Sequence, residues 1–295
     1  MRADGRGGVA DARAGRRFVA AMVDPRHTEL ADVPAREALY RAELAKAAAI
    51  AALLGRGSRR GPVVACDATS YCASRYAGPG WLLTGDAASF IDPLSSYGVK
   101  KAMASGWLAA VCMRTILETP AMEAACLELY DRREREVFES YRRRSALLFR
   151  EGGGDDPAAF WSARAATEEA HDGDLRFDPE RLREDDEVLA AFAAIRESET
   201  LAIDRAPEVR VEPRPVVEGD RVVLADHLVN AWASEGVRFL RDVELPRLLA
   251  LAPAAGSVPE LFEAYNRSGP ETRLPDFLGA LSVCLAKGLA RQRRC

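Results

Sequence analysis

The order of apolar and polar residues near the start of the chain predicts a strand followed by a helix. Residues 17–23 form a short apolar run that Pro25 ends, as expected of a strand. Asp32 is suited to cap a helix, and residues 35–54 are rich in Ala, Leu, Glu and Arg until Gly55. The pattern therefore predicts one long helix that ends at Gly55.

Further apolar runs predict two strands and a long helix in the middle of the chain. Residues 62–68 predict a strand, and the Gly-Pro-Gly turn at 78–80 leads into the apolar run 81–83. Because that run is continuous and ends at Gly85, it predicts a strand buried on both faces. From residue 98 to about 117 the spacing predicts a helix. Its recurring apolar or small residues are Val99, Ala102, Met103, Gly106, Ala109, Ala110 and Met113.

The second half of the chain predicts another long helix and then a separate module. Residues 120–150 predict a helix in which glutamates and arginines form many near-neighbour charge pairs. Residues 152–187 are acidic and rich in Gly and Pro, which marks the clearest domain boundary. The remaining residues predict a small α+β module, with a hairpin at 209–224, a strand at 236–240 and helices at 261–266 and 277–285.

The segment 81–102 carries the most informative chemistry. Asp86 follows the predicted strand directly, and open α/β sheets bind ligands at the carboxyl ends of their strands. Asp92-Pro93 interrupts regular structure, and the helix predicted from Gly98 presents its free N–H groups to the same region. Those groups favour an electron-rich ligand, while a carboxylate such as Asp86 accepts hydrogen bonds from hydroxyl groups. The segment therefore predicts a ligand site.

This segment resembles the second flavin-contact motif of FAD-dependent aromatic hydroxylases with the para-hydroxybenzoate-hydroxylase-like fold, and especially of their flavin-dependent halogenase relatives. In that family a Gly-Asp pair is followed by Asp-Pro and a Ser- and Gly-rich helix start under the isoalloxazine ring. The resemblance implies FAD as the cofactor, with Gly85 and Asp86 at its ribityl chain. Pro93, Gly98 and Val99 would line the pyrimidine side. The implied cofactor-binding residues are Gly85, Asp86, Asp92, Pro93, Ser96, Gly98 and Val99.

The resemblance extends from about residue 18 to residue 164. Residues 70–81 are similar to the lead-in of halogenase-like proteins, and Tyr130–Arg133 with Phe160-Trp161 resemble their long helix and its end. The family begins with a strand and a Gly-x-Gly-x-x-Gly turn that holds the FAD pyrophosphate. Here Gly5–Gly8 is glycine-rich but follows no strand. We therefore expect that the chain is a fragment, or that translation starts further upstream, and that half of the cofactor site is missing.

The resemblance and the module boundaries together give a predicted domain organisation. The fold class is α/β, the C-terminal part of a Rossmann-like FAD-binding domain with a remnant of the substrate domain. A small α+β domain of winged-helix-like order follows. The predicted parts are a disordered leader at 1–16, the substrate-domain remnant at 17–78, the FAD-binding half with long helices at 79–165, an acidic linker at 166–187 and the α+β domain at 188–295.

Composition narrows the function classes. The 295 residues are 48% hydrophobic, enough for packed cores, and a net charge of −4 gives no broad basic surface for nucleic acid. No apolar run approaches the roughly 20 residues that cross a bilayer, and the N-terminus lacks a signal-peptide core. We therefore expect a cytoplasmic protein that binds neither nucleic acid nor membrane.

Cysteine and histidine usage predicts free thiols and no metal. The three histidines lie far apart, which disfavours a His-based metal site. The cysteines have no C-x-x-C spacing in a chain large enough to fold without disulfides, so we expect free, mostly buried thiols. They are Cys66, Cys72, Cys112, Cys126, Cys284 and Cys295.

No catalytic residue can be named from the sequence. Asp24, His27 and Lys100 are polar groups near recognisable elements, but none has a partner at catalytic spacing, so each is interpreted as a surface or capping residue. No Gly-x-Ser-x-Gly elbow is present, which disfavours a hydrolase. In the family the flavin does the redox work with dioxygen, and the substrate is hydroxylated or a halide is oxidised first.

Several functions stay open at this point. A halogenase needs a lysine from the region that is absent here, and the tryptophan-rich substrate motif is not found, which favours hydroxylation over halogenation. The implied substrate is an aromatic small molecule or a group on a peptide or carrier protein, with a flavin reductase or NAD(P)H as electron source. A related flavoprotein group modifies a tryptophan within a maturing peptide. The alternative is a non-catalytic protein whose C-terminal module binds a peptide or carrier.

Overall fold

The computed structural model describes residues 8–11, 18–24, 32–54, 58–153, 159–165, 179–198 and 202–293. The chain divides into two compact units, one of residues 1–110 and 130–169 and the other of residues 111–129 and 170–295. The predicted domain boundaries after residues 16, 78, 165 and 187 stay predictions. The leader falls outside the described residues except for a strand at Gly8–Asp11, and so does most of the acidic linker.

The first half of the chain alternates short strands with helices. Its elements are β1 (Gly8–Asp11), β2 (Phe18–Ala21), α1 (Val33–Ala45), α2 (Ala48–Leu54), β3 (Tyr71–Cys72), β4 (Ala77–Gly78), β5 (Trp81–Leu82), β6 (Ser89–Phe90), α3 (Gly98–Glu118), α4 (Glu123–Gly153) and α5 (Ala159–Ala165). The predicted strand before Pro25 is confirmed as β2, which pairs antiparallel with β1. The two long helices are confirmed as α3 and α4.

The helix predicted at 35–54 is divided in two. Asp32 caps α1 as expected, because its carboxylate accepts a hydrogen bond from the Ala35 amide at 3.1 Å. The chain leaves helical geometry at Lys46 and Ala47 before α2 begins. The segments before and after these two residues have equally high helix propensity, so the pattern gave no sign of the break. The amide of Lys46 donates to Glu43 O, three residues back, which is the spacing of a tighter turn.

Two strand predictions need correction. Residues 62–68 form no strand and pair with no strand in the described part of the chain. Their side chains are largely exposed. The apolar run at 81–83 was expected to be buried on both faces, but β5 is short and pairs only with β4, which leaves Trp81 exposed. Its indole lies across Gly78, where a Cβ atom would meet ring atoms at 2.7 Å.

Large apolar side chains of α3 lie on an exposed face of the helix. Val99 is 77% exposed, Met103 72% and Trp107 56%, and these residues follow one another at four-residue intervals along one face of the helix. The buried face instead carries Lys101, Ser105 and Leu108. Periodicity located the helix correctly, but among the recurring residues that predicted it only Ala109 is buried.

The unit that contains most of the C-terminal half mixes helices with antiparallel strand pairs. Its further elements are α6 (Pro179–Glu184), α7 (Asp186–Glu197), β7 (Ile203–Arg205), β8 (Arg210–Glu218), β9 (Arg221–Val229), β10 (Phe239–Leu240), β11 (Val243–Glu244), α8 (Leu245–Leu251), α9 (Val258–Arg267), α10 (Leu274–Ala286) and β12 (Ala290–Gln292). The predicted hairpin is confirmed as β8 and β9, joined through Gly219 at φ +62°. Its second strand reaches Val229, further than predicted.

The core of this unit is formed by the apolar side chains of α8, α9 and α10. Phe277 is fully buried and meets the rings of Phe262 and Tyr265 at 5.2 and 5.7 Å between centroids. The Tyr265 hydroxyl accepts a hydrogen bond from the Glu244 amide at 2.8 Å, which fixes the start of α8. The last turn of α3 belongs to the same unit, where Thr115 Oγ1 accepts from the Val222 amide at 2.9 Å.

The predicted mixture of helices and strands is confirmed. Among the described residues the named strands form six two-stranded antiparallel pairs. The winged-helix-like order of the C-terminal module stays a prediction. No helix in the described ranges is both long and apolar enough to span a bilayer.

Three of the described cysteine thiols are buried, and two are exposed. Burial raises the pKa of Cys112 and of Cys284 to about 12. Because the thiolate is the reactive form, a maleimide at neutral pH should modify Cys66 and Cys72 at least about a hundredfold faster than Cys112, Cys126 and Cys284. Peptide mass spectrometry of time points checks this result. Equal labelling of all five in folded protein would contradict the packing described here.

Candidate functional site

The segment that the sequence singled out begins with a tight turn at Gly85–Ala87. Gly85 is buried and has φ +58°, a left-handed conformation that glycine adopts without strain. A Cβ atom at this position would lie 3.3 Å from the Cβ atom of Ala102 on α3. Glycine therefore allows the turn to lie directly on the helix, while the side chain of Asp86 stays exposed.

The carbonyl groups of this turn are held by hydrogen bonds from neighbouring side chains and backbone amides. The Lys101 ammonium donates to Gly85 O at 2.9 Å and also to Ser89 O. The Tyr71 hydroxyl donates to Asp86 O, and the Ala73 amide donates to Ala88 O at 2.9 Å. Because the turn is fixed on its inner side, the Asp86 carboxylate is presented to solvent from a rigid backbone.

A small polar cluster lies beneath the turn, between α3 and α4. Ser105 Oγ accepts from the Gly85 amide at 3.3 Å and lies 3.0 Å from the Tyr130 hydroxyl, which donates to Leu83 O at 2.7 Å. Glu134 is buried beside these groups, and its Oε2 atom has no hydrogen-bond partner among the described residues. Burial raises the pKa of Glu134, against the opposing effects of Ser105 and of the Lys101 charge.

The loop after the turn is organised by Asp92. Its side chain accepts a hydrogen bond from the Leu94 amide at 3.0 Å, and its backbone carbonyl accepts from the Ser95 hydroxyl at 2.7 Å. Arg164 Nε lies 3.4 Å from the Asp92 carboxylate and approaches it from α5. Asp92 is largely buried, and its hydrogen bonds shape the loop.

The chain then enters α3 through a left-handed residue. Ser96 is exposed at φ +59°, and Tyr97 accepts the first helical hydrogen bond, from the Lys101 amide at 2.9 Å. The first-turn amides of Gly98 and Val99 have no acceptor within the helix. A Cβ atom at Gly98 would meet nothing within 4 Å. The backbone at this helix start is therefore open to a ligand.

The Tyr97 ring is turned onto α4 and away from that opening. It packs against Tyr141 at 4.9 Å between centroids, and the Arg144 guanidinium lies 5.2 Å from the Tyr97 centroid. The Tyr97 side chain therefore leaves the helix start accessible. Free backbone N–H groups at an open helix start are donors that could bond to the edge of a flavin ring.

The predicted cofactor residues lie on one continuous stretch with different exposures. Asp86, Pro93, Ser96 and Val99 are exposed, Gly98 is half-buried, and Gly85 and Asp92 are buried. Among the residues interpreted as surface groups, Lys100 is exposed as expected, Asp24 is buried, and His27 lies outside the described residues. The burial of Asp24, three residues after the end of β2, corrects its surface assignment.

The polar cluster beneath the turn was not predicted from the sequence. The signal was present, since Lys101, Ser105, Leu108 and Cys112 recur at intervals of three and four residues and so share one helix face. The helix was predicted from its recurring apolar and small residues, and those residues include none of these four. A lysine next to another lysine also gave no reason to expect that one of them is buried.

The C-terminal unit contains a separate cavity of about 710 Å³. Asp204, Asp226, Arg205 and Arg291 contribute its charged groups, and Leu228 and Leu249 part of its apolar wall. None of the predicted cofactor residues lines it. In the described part of the chain no group of three or more His, Cys, Asp or Glu side chains is placed to hold a metal ion.

Comparisons with known proteins bear on the chemistry of this site. No protein-family model matches the chain. A tryptophan 2-halogenase of Chondromyces crocatus is 36% identical over 103 residues, which are 34% of this chain and 19% of that protein. The flavin-dependent halogenase armH1 of Armillaria mellea is 39% identical over 71 residues, or 24% of this chain and 14% of that protein. A second Armillaria mellea halogenase, armH2, is 31% identical over 102 residues, covering 35% and 20% of the two chains.

Two solved structures share the fold. The peptidyl tryptophan dihydroxylase QhpG, essential for tryptophylquinone cofactor biogenesis, superimposes on 93% of this chain and 56% of its own with a TM-score of 0.61 at 21% identity. The flavin-dependent halogenase CmlS covers 89% of this chain and 53% of its own, with a TM-score of 0.54 at 19% identity. The chain thus spans about half the length of these solved proteins and at most a fifth of the curated relatives.

The comparisons confirm the resemblance that the motif predicted. The chain is similar to flavin-dependent halogenases at modest identity over about a third of its length. Its fold is that of a flavin-dependent halogenase and of a tryptophan dihydroxylase. The two Armillaria mellea halogenases and CmlS carry flavin dependence in their names, which agrees with the cofactor class that the sequence implied.

Proposed function

We propose that this chain forms the isoalloxazine- and ribityl-binding part of an FAD-dependent oxidoreductase. The observation that carries the proposal is the rigid turn at Gly85–Ala87, which presents Asp86 to solvent beside the open start of α3. The similarity to flavin-dependent halogenases supports the same assignment. The 295-residue chain would supply one side of the cofactor site.

Each residue of the segment has a defined part in this proposal. Asp86 accepts hydrogen bonds from ribityl hydroxyl groups, which a charged acceptor strengthens. The amides of Gly98 and Val99 face the electron-rich pyrimidine edge, and the positive end of the helix dipole supports them. Asp92 and Pro93 keep the loop in place between these two contacts. When bound, FAD would supply the electron transfer to dioxygen that the reaction requires.

The reaction that we favour is hydroxylation of an aromatic group. The substrate would be an aromatic small molecule or a tryptophan in a peptide or carrier protein, as the name of the dihydroxylase QhpG suggests by analogy. Electrons would come from a flavin reductase or from NAD(P)H. No described residue has the geometry of a general base at this site, so the chain's own contribution is to bind and orient.

Halogenation is the second candidate, and one observation favours it. The Tyr97 ring packs on α4, so the backbone at Ser96 and Gly98 is free to hold a halide. An assay with FAD, a flavin reductase, NADH, dioxygen and chloride, using both tryptophan and a tryptophan-containing peptide, separates the two reactions. The product mass shows whether oxygen or chlorine was added.

The C-terminal residues 188–295 serve in this proposal as a recognition module. They have their own apolar core and a cavity of about 710 Å³ lined by acidic, basic and apolar groups, which suits a peptide or carrier segment. The winged-helix-like order belongs to the same proposal, with helices and a long hairpin but no basic recognition face. A protein that binds such a partner but no flavin would be the non-catalytic alternative.

Calorimetric titration with FAD tests the proposed cofactor site. We expect Asp86→Ala to weaken FAD binding about tenfold, because a charged hydrogen-bond acceptor is lost. Asp67→Ala, which alters another exposed aspartate of the same unit, should leave the dissociation constant unchanged. Equal affinities for wild type and Asp86→Ala would remove Asp86 from the site. Absence of any saturable heat with wild type would contradict flavin binding by this chain.

A further inference from the structure

We propose that Lys101 is a positioning residue of the flavin site. Its buried ammonium group holds the turn at Gly85–Ala87 in place through the carbonyls of Gly85 and Ser89, behind the exposed Asp86. This inference rests on the proposed function, because the turn is assigned its ligand there. Lys101 touches only protein groups and would act on the cofactor through the turn.

The burial of Lys101 is the first observation behind this inference. Its exposed fraction is 1%, whereas the neighbouring Lys100 is exposed. Lysine is among the residues least often buried without a charge partner, because removing an ammonium ion from water is costly. Burial lowers the pKa of Lys101, and the charges of Glu134 and Asp86 oppose that effect. A leucine or methionine would pack here without the cost of removing an ammonium ion from water. We therefore infer that the charge of Lys101 has a role at this position.

The hydrogen bonds of Lys101 define that use. Its Nζ atom donates to Gly85 O and to Ser89 O, which lie on either side of Asp86 along the chain. Both bonds lie on the buried side of the turn, opposite the exposed Asp86 side chain. An apolar side chain at position 101 would leave the Ser89 carbonyl buried without the donor that it has now. Lys101 therefore sets the distance between the two ends of the turn.

Glu134 adds the electrostatic part of the inference. It approaches Lys101 from α4, and burial raises its pKa toward the neutral acid. The ammonium group of Lys101 lies just behind the turn, with Glu134 and Asp86 as the nearest opposite charges. A positive charge at this place stabilises a reduced flavin, which carries more negative charge than the oxidised form.

Hydrogen exchange of the chain without ligand tests the positioning of the turn. Lys101→Met should raise the exchange rates of amides within residues 83–92 about tenfold or more, and Lys100→Met should leave them as in wild type. If Lys101→Met unfolds, Lys101→Gln keeps a neutral amide group as hydrogen-bond donor and should give an intermediate increase in exchange rate at the same amides. Equal exchange in the 101 and 100 variants would overturn the positioning role.

Cofactor measurements test the link to flavin. Lys101→Met should weaken FAD binding about tenfold and lower the midpoint potential of the bound flavin, with Lys100→Met unchanged in both. An unchanged potential and affinity, with faster exchange, would reduce Lys101 to a structural residue and refute the inference. If wild type binds no FAD, the proposed function fails and with it the cofactor link, whereas the exchange rates still decide whether Lys101 holds the turn.

Discussion

Replacing Gly85 by valine should destabilise the protein by about 2–3 kcal/mol and abolish FAD binding. Gly85 has φ +58°, and a β-branched residue is strongly strained in that conformation. Its Cβ atom would also lie 3.3 Å from Ala102 Cβ, so the turn must move away from α3. Movement of the turn displaces Asp86 and the carbonyls that Lys101 holds. Urea denaturation and FAD titration measure the two effects.

Gly106 offers the matched control for this substitution. It lies in the middle of α3, is exposed, and a Cβ atom there would meet nothing within 4 Å. Because valine has a higher helix propensity than glycine, Gly106→Val should be neutral or stabilise by about 0.5 kcal/mol. A Gly85→Val protein as stable as the Gly106→Val protein would show that the turn does not lie on α3 as described.

Phe277→Ala should cost about 3–5 kcal/mol. Phe277 is fully buried, and the rings of Phe262 and Tyr265 surround it at 5.2 and 5.7 Å. Both neighbours lie on α9, whose position depends on the contact, so the cavity left by alanine cannot close easily. Denaturation followed by circular dichroism at the helix band measures the change.

Leu274 provides the comparison on the same helix. It is 47% exposed at the start of α10, and its truncation to alanine should cost less than about 1 kcal/mol. A similar loss for both variants would mean that the unit has no ordered core around Phe277. The contrast between the two variants therefore tests the packing of the module that is proposed to recognise the substrate.

The backbone of the candidate site could be predicted because its signals are local. Gly85, the Asp92-Pro93 pair and the helical spacing after Gly98 each act within a few residues, and the turn, loop and helix all form where these signals lie. The hairpin around Gly219 was predictable for the same reason. Local turn chemistry does not depend on which distant residues complete the core.

Features that depend on distant partners could not be predicted in the same way. The strand expected at 62–68 did not form, because strand-like composition gives no stability without a neighbouring strand. Trp81 was expected to be buried but is exposed, since β5 pairs on one side only. The buried Lys101 bonds to the carbonyls of Gly85 and Ser89, which lie 16 and 12 positions away and outside its helix.

The outward apolar face of α3 gives this protein a built-in spectroscopic reporter. Trp107 is half in water on the same helix whose first turn forms the candidate site. An indole in water emits at longer wavelengths than one that a ligand or another polypeptide surface covers. The emission wavelength and intensity of Trp107 would therefore report, without any label, when that side of the helix is shielded from solvent. A Trp107→Phe protein would identify which part of the emission belongs to it.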